Sequence, residues 1–170
     1  MAVSTEKPDA KFGLGSKIVY PSHGLGVIEQ IEDKTIAGSC EACYVIRFHA
    51  SGMTITAPVR AADTVGMRRI IRKQDVPKVM KILRDEGEAG VESNWNKRQK
   101  TYLEKIKSGS IYEVAAVYRD LRALRNGKGL SFGEQQVFDN AHKLIVSEIA
   151  EAKGLTEEKV VKLINDTLES

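Results

Sequence analysis

The residues whose chemistry stands out first surround Trp95, the single tryptophan of this 170-residue chain. It lies in the segment Glu92-Ser-Asn-Trp-Asn-Lys-Arg-Gln-Lys100, where amides and cations flank the ring. Ser93 or Asn94 could cap a helix, which would place the indole in its first turn. Cations and exposed helix N–H groups attract phosphate, and a flat apolar ring can stack on bases or wedge between them. The segment therefore indicates a nucleic-acid contact, although a ring pinned between two helices is an equally good interpretation, because Trp95 and Tyr102 would share one helix face.

A second candidate for chemistry is the pair Cys40 and Cys43, which has the spacing of a zinc or redox pair. His23 and His49 are the nearest further ligands, but a zinc site built from them would draw on scattered strands. The pair also opens a predicted strand, where the two side chains would point to opposite faces. A small metal or redox enzyme is thus a weaker alternative. No catalytic residue, metal site or cofactor is predicted.

The charge of the chain is distributed unevenly. The net charge is +3, but residues 71–130 hold 14 basic and 8 acidic side chains, a net charge of +6, whereas residues 131–170 have a net charge of −4. A cationic middle segment is typical of a face that meets a polyanion, and it is also common on solvated helical surfaces.

Two hydrophobic periods divide the chain into an N-terminal β domain at residues 12–70 and a helical domain at residues 71–170. Residues 1–11 contain few apolar groups and are predicted to be a disordered extension. In the β domain, strands are predicted at Lys17–Tyr20, Gly26–Glu32, Glu41–Phe48 and Met53–Ala57, with turns at 21–24, 33–38 and 51–52. Short strands without a helical period between them favour a small curved antiparallel sheet or barrel.

From about residue 75 the apolar residues recur with the period of a helix, as at Val76, Val79, Met80 and Leu83. The pattern predicts about five helices packed as a compact all-α unit, so the fold class is α+β. The helix boundaries are marked by capping boxes at Ser110/Glu113 and Ser131/Glu134, by Gly154 at a C-terminus and by Thr156 at an N-terminus.

Several motifs, in order and spacing, resemble the CarD/CdnL family of bacterial transcription regulators. They span about residues 13–168 and comprise Val19-Tyr-Pro-Ser-His-Gly-Leu-Gly26, Ile31-Glu-Asp-Lys-Thr-Ile-Ala-Gly38, Asn94-Trp-Asn-Lys-Arg-Gln-Lys100, the helical segment Val114–Leu121, and Gly129-Leu-Ser-Phe-Gly-Glu134. The resemblance implies a Tudor-like β domain that binds the RNA polymerase β subunit. It also implies a helical domain that contacts promoter DNA in the minor groove, at the upstream edge of the melted bubble.

The resemblance also implies roles for individual residues. Trp95 matches the family's wedge in the minor groove, with Asn94 beside it, and the basic residues Lys97, Arg98 and Lys100 match positions that approach the phosphates.

In the β domain, Lys34 matches a basic polymerase contact. A second such contact, basic in some members, falls at Thr56 here, and this departure weakens any salt bridge at that position. Arg47 and Arg60 are further candidates on weaker grounds.

These observations predict a non-catalytic, monomeric transcription regulator that binds RNA polymerase and stabilises the open promoter complex. An alternative is an architectural nucleic-acid-binding protein that works without polymerase. The chain has no transmembrane run and its N-terminus does not have the pattern of a signal peptide, so we expect no membrane partner and a cytoplasmic location, at the nucleoid through polymerase.

Overall fold

A computed structural model describes residues 10–21, 23–86 and 94–169. The chain forms two compact units, divided between Arg69 and Ile70. The first is an antiparallel sheet and the second is helical, which confirms the α+β class. The predicted disordered extension lies outside the described residues as far as residue 9. Lys11, its last residue, is described, and its ammonium group lies 2.9 Å from the carboxylate of Asp63.

Five strands form the sheet in the order β4-β3-β2-β1-β5, and all neighbours are antiparallel. They are β1 (Lys17–Tyr20), β2 (Gly24–Ile36), β3 (Ser39–Phe48), β4 (Thr54–Pro58) and β5 (Arg68–Arg69), and a short helix α1 (Ala62–Val65) lies between β4 and β5. Each strand is tied to its neighbour in sequence or to β1, so the connections remain short.

Strand β2 is longer than predicted, and the turn predicted at residues 33–38 is limited to the last two of them. Asp33 pairs with Ala42 and Ile36 with Ser39, so the hairpin continues to a two-residue turn. That turn consists of Ala37 and Gly38, whose φ angles of 51° and 83° are both in the left-handed region. Two positive φ angles give the turn geometry that best matches the twist of paired strands, and pairing with β3 thus outweighs the poor strand propensity of Asp33 and its neighbours.

The inner face of the sheet forms the core of the first unit. Ile18, Ile28, Tyr44, Ile46 and Phe48 are each at most 1% exposed. Of these, Tyr44, Ile46 and Phe48 alternate along β3 with side chains on the opposite face, as a period of two requires. The core therefore fixes which residues of β2, β3 and β4 face outward.

The described part of the second unit contains five longer helices, as predicted: α2 (Val76–Arg84), α3 (Trp95–Lys107), α4 (Ile111–Gly127), α5 (Phe132–Lys153) and α6 (Glu157–Glu169). The apolar faces predicted from the helical period meet in one core, which contains Val79, Leu121, Ile145 and Ile149. None of the described helices is long and apolar enough to cross a membrane.

The helix ends follow the predicted signals with one exception. Ser131 and Glu134 form both halves of a capping box at the start of α5, and Gly154 ends that helix with a φ of 66°. Thr156 accepts a hydrogen bond from the backbone N–H of Lys159 at 3.3 Å. Ser110 lies at the N-cap of α4, but its side chain makes no capping hydrogen bond. The capping box predicted there is therefore wrong.

Candidate nucleic-acid interface

Trp95 is the first residue of α3, and the cap in front of it holds it there. The side-chain oxygen of Asn94 accepts a hydrogen bond from the backbone N–H of Asn96 at 2.9 Å. This satisfies one of the N–H groups that a helix start leaves without an internal partner. Asn94 is thus the cap, and the other candidate, Ser93, lies outside the described residues. The prediction that the indole occupies the first turn of a helix is confirmed.

The indole is half-buried and its buried edge lies against the first turn of α5. A Cβ atom built on Gly133 would stand 3.2 Å from Cζ2 of Trp95. Because Gly133 has no side chain, the ring can approach the α5 backbone closely. Tyr102 and Ile106 follow on α3 and are buried in the core, 9% and 4% exposed respectively. Trp95 therefore lies at the margin of the core, with part of its ring accessible.

Arg98 differs from the other cations of this segment because its side chain is directed inward. The side chain is 11% exposed, and its Nη2 lies 3.6 Å from Oε2 of Glu134, which is 7% exposed. The guanidinium carbon also lies 5.7 Å from the centroid of the Trp95 ring, within the range of a cation–π contact. Arg98 thus connects the indole of α3 to Glu134, which completes the capping box of α5.

The remaining residues predicted to contact DNA are exposed. Asn94, Lys97 and Lys100 are all on the accessible surface of α3 or its cap. In the described residues, no carboxylate lies within ion-pair distance of Lys97 or Lys100. These two ammonium groups are therefore available to an external anion.

Further along α3, Tyr102 is uncharged at neutral pH. Burial raises the pKa of the Tyr102 hydroxyl, and the nearby Asp120 carboxylate acts in the same direction. The positive charge of Arg98 opposes this shift in pKa, and the shift remains upward. The phenol is therefore uncharged at neutral pH and acts as part of the core that supports α3.

In the β unit, the structure brings together the two residues predicted as principal polymerase contacts. Lys34 lies on β2, not in the turn where it was predicted, and Thr56 lies on β4. The Nζ atom of Lys34 donates to the hydroxyl of Thr56 at 3.5 Å, and it lies 3.4 Å from the carboxylate of Glu32. One cation thus occupies the space between the two positions.

Arg47 and Arg60 are also exposed, and each faces a carboxylate of its own unit. The guanidinium of Arg47 lies 2.9 Å from Glu29, and Arg60 forms an ion pair with Glu41. The three cations predicted as polymerase contacts are therefore all balanced by acids of the same unit. We call the group formed by Lys34, Arg47, Thr56 and Arg60 the outer sheet face.

Both units match known protein families. Residues 12–71 match the CarD-like/TRCF RID domain, and residues 78–165 match the CarD C-terminal domain. A protein of Bacillus subtilis (strain 168) named "Putative transcription factor YdeB" is 36% identical over 149 residues, which cover 88% of this chain and 97% of that protein.

The chain belongs to the CarD family.

The CarD-family match covers the surface around Trp95, and that surface includes an aromatic residue that was missed from the sequence. Phe132, the first residue of α5, is 81% exposed and directly precedes Gly133, on which the indole lies. A signal was present, because Phe132 precedes the apolar stripe of α5 that begins at Val137 and is out of phase with it. We call Trp95, Lys97, Lys100 and Phe132 the indole surface.

The two cysteines of this CarD-family chain do not form a pair. Cys40 is exposed, Cys43 is buried, and both are free thiols. Burial raises the pKa of the Cys43 thiol, which keeps it protonated and unreactive. Within the parts of the chain that the structure describes, no three or more His, Cys, Asp or Glu side chains are grouped so that they could hold a metal ion.

Proposed function

We propose that this chain regulates transcription by binding the RNA polymerase β subunit through its β unit and promoter DNA through the indole surface, which stabilises the open complex. Membership of the CarD family supports the role in transcription. The observation that carries the finer proposal is the placement of Trp95: a large ring, fixed at a helix start and half-buried, on a helix that also carries the exposed Lys97 and Lys100.

The geometry suits a wedge at the minor groove of distorted DNA. Separating a base step requires roughly a few kcal/mol, so a wedge inserts most readily where the strands are already parting. The ring would bind the open state better than the closed one, and only such a difference in affinity shifts the equilibrium. A ring–base contact is worth ~1–3 kcal/mol, which corresponds to roughly a fivefold to hundredfold change in the stability of the open complex.

Lys97 and Lys100 would add phosphate contacts, but two such contacts alone give weak and salt-sensitive binding. Attachment to polymerase removes this weakness, because it converts DNA contact into an intramolecular event at high effective concentration. The outer sheet face supplies charges for that attachment. Because Lys34 reaches Thr56, one ammonium group could serve both of the positions at which the family resemblance implies a polymerase contact.

The proposed DNA binding by the indole surface is tested by the lifetime of the open complex. It is measured with purified polymerase and a promoter whose open complex is unstable. We expect Trp95→Ala to lose most of the stabilisation while the variant still binds polymerase and keeps its helical circular dichroism. Trp95→Phe, which keeps a smaller ring, should retain part of it. Full stabilisation by Trp95→Ala would refute the wedge.

A charge reversal in the full chain tests the proposed binding of polymerase by the outer sheet face. Lys34→Glu should lower the capture of polymerase, because it places another acid beside Glu32 and removes the cation that reaches Thr56. Lys159→Glu is the matched control, since Lys159 is exposed on α6 of the other unit. Equal capture by both variants would argue against the outer sheet face.

A gel-shift experiment on naked promoter DNA addresses the architectural alternative. We expect weak binding at physiological salt when no polymerase is present. Tight binding under those conditions would favour a protein that works without polymerase.

A further inference from the structure

The inward direction of Arg98 requires an explanation other than phosphate contact. Its side chain is 11% exposed, whereas Lys97 and Lys100, on either side of it in sequence, are exposed. Its guanidinium has the buried carboxylate of Glu134 on one side and the Trp95 ring on another. A side chain held in this way has little freedom to follow a DNA backbone.

We propose that Arg98 is a positioning residue, whose ion pair with Glu134 and cation–π contact with Trp95 hold the indole in the orientation that meets the DNA. The inference rests on the proposed function of Trp95. It gives Arg98 a role different from the phosphate contact that the family resemblance implied.

The arrangement requires the shape of arginine. A guanidinium is planar, so its face can lie over a ring while its edge pairs with a carboxylate. Lysine carries the same charge as a compact ammonium, which can approach Glu134 but cannot provide a flat surface to the indole. Arg98→Lys should therefore separate the charge of this residue from its shape.

The carboxylate partner is itself fixed. Glu134 is the N3 residue of α5, where its backbone N–H donates to the Ser131 hydroxyl at 3.2 Å and its Oε1 faces the Ser131 N–H at 3.5 Å. Gly133, the residue before it, provides the surface beneath the ring. One turn of α5 thus places both the support of the indole and the anchor of Arg98.

Fixing the ring before DNA arrives favours binding because less rotamer freedom is lost on contact. A ring freed from Arg98 would sample other rotamers, and only a fraction of molecules would present it correctly. The apparent stabilisation of the open complex would fall in proportion to that fraction.

Trp95 is the only tryptophan of the chain, so intrinsic fluorescence reports its environment directly. The experiment compares the full chain with Arg98→Met, Arg98→Lys and the control Lys97→Met, first by acrylamide quenching and fluorescence anisotropy of the free protein. Open-complex lifetimes at several salt concentrations are then measured with purified polymerase. Circular dichroism melting shows which variants are folded.

We expect quenching of Trp95 to rise about twofold and its anisotropy to fall in Arg98→Met and, because the flat guanidinium is replaced, in Arg98→Lys. Both variants should shorten the open-complex lifetime towards that of Trp95→Ala. Lys97→Met should leave the fluorescence unchanged and instead lower the salt slope of DNA engagement by about one phosphate contact.

Unchanged fluorescence in folded Arg98→Lys and Arg98→Met would overturn the proposal. A salt slope of DNA engagement that is lower in Arg98→Met and normal in Arg98→Lys would also overturn it, because that is the behaviour of a phosphate contact. If Arg98→Met does not fold, Arg98→Lys decides alone, because it leaves Glu134 with a positive partner. Failure of the proposed function looks different: the indole would be freed as expected, but neither these variants nor Trp95→Ala would change the open-complex lifetime.

Discussion

Replacing Glu134 by alanine tests whether the residue that closes the α5 cap also holds the helical unit together. The substitution removes the carboxylate next to the Arg98 guanidinium, which is 11% exposed. Removing one partner of a buried ion pair costs about 3–5 kcal/mol, because the remaining charge loses the group that offset its burial.

The structure places the expected loss at the lower end of that range. The Nη2–Oε2 separation is 3.6 Å, so the pair is electrostatic more than hydrogen-bonded. The substitution also removes the hydrogen bond from the Ser131 N–H to Oε1, which is long at 3.5 Å and contributes about 0.5 kcal/mol. We therefore expect Glu134→Ala to lower the free energy of unfolding by about 3 kcal/mol, which for about 100 residues corresponds to a Tm lower by roughly 12–24 °C.

Urea unfolding followed by Trp95 fluorescence measures this loss, since the indole reports the helical unit alone, and circular dichroism provides a second probe. Asp139→Ala is the control: it removes the same charge from an exposed position on the same helix, and it should change stability by less than about 0.5 kcal/mol. The double variant Arg98→Met/Glu134→Ala should lose less than the sum of the two single variants, because it leaves no buried charge behind. A loss below about 1 kcal/mol in Glu134→Ala, or strict additivity in the double variant, would refute the reasoning.

Three further predictions concern other parts of the molecule. Ala37→Asn should stabilise the β unit by about 0.5–1 kcal/mol, because Asn tolerates the positive φ of 51° better; an unchanged calorimetric Tm would contradict this. Gly26→Ala should destabilise it by about 1–3 kcal/mol in the same assay, since the new Cβ would lie 2.7 Å from Cγ2 of Ile46; a Tm equal to that of the parent chain would show that the strand yields freely. Burial lowers the pKa of His142, so the unfolded chain binds a proton at about pH 6.5 and the folded chain only at lower pH. Stability should therefore fall as the pH drops through this window, and less so in His142→Phe; equal pH dependence of Tm in the two proteins would exclude this role.

The sequence was most informative where a signal is local. Strand β1 was predicted with the bounds that the structure shows, because a turn begins directly after it at Pro21. The cap at Ser131 and the end of α5 at Gly154 also depend on a few neighbouring residues. These interactions are decided within one turn of chain, so sequence spacing alone can reveal them.

Predictions failed where a distant partner decides the outcome. Asp33 and Lys34 are poor strand formers, yet β3 pairs with both and extends β2 to Ile36. Ser110 has Glu113 in the capping-box position, but no capping bond to the Ser110 side chain forms. Both cases show that pairing and packing across the fold can outweigh local preference.

The inward direction of Arg98 could not be found from the sequence either. Its acidic partner is 36 residues away and belongs to a helix whose cap already explained the presence of Glu134. The capping role of Glu134 is evident from its spacing to Ser131 and is enough to explain the residue. The sequence therefore gives no reason to look for a second role. Only the placement of α3 against α5 shows that the Glu134 carboxylate serves both the α5 cap and the arginine beside the indole.

The two units use positive charge in different ways, which bears on how a tethered regulator would act. On the outer sheet face, Lys34, Arg47 and Arg60 each have a carboxylate of their own unit. Such exposed pairs are worth only ~0–1 kcal/mol, so an acidic partner surface could replace these carboxylates at little cost. Lys97 and Lys100 have no such partner among the described residues, and a phosphate would meet them without competition.

Binding that exchanges one ion pair for another depends weakly on salt, whereas binding that releases counterions from DNA depends on it strongly. DNA binding by the indole surface should therefore weaken before polymerase binding as the salt concentration rises. A rise in salt that releases the chain from polymerase before it shortens the open-complex lifetime would contradict this division of roles.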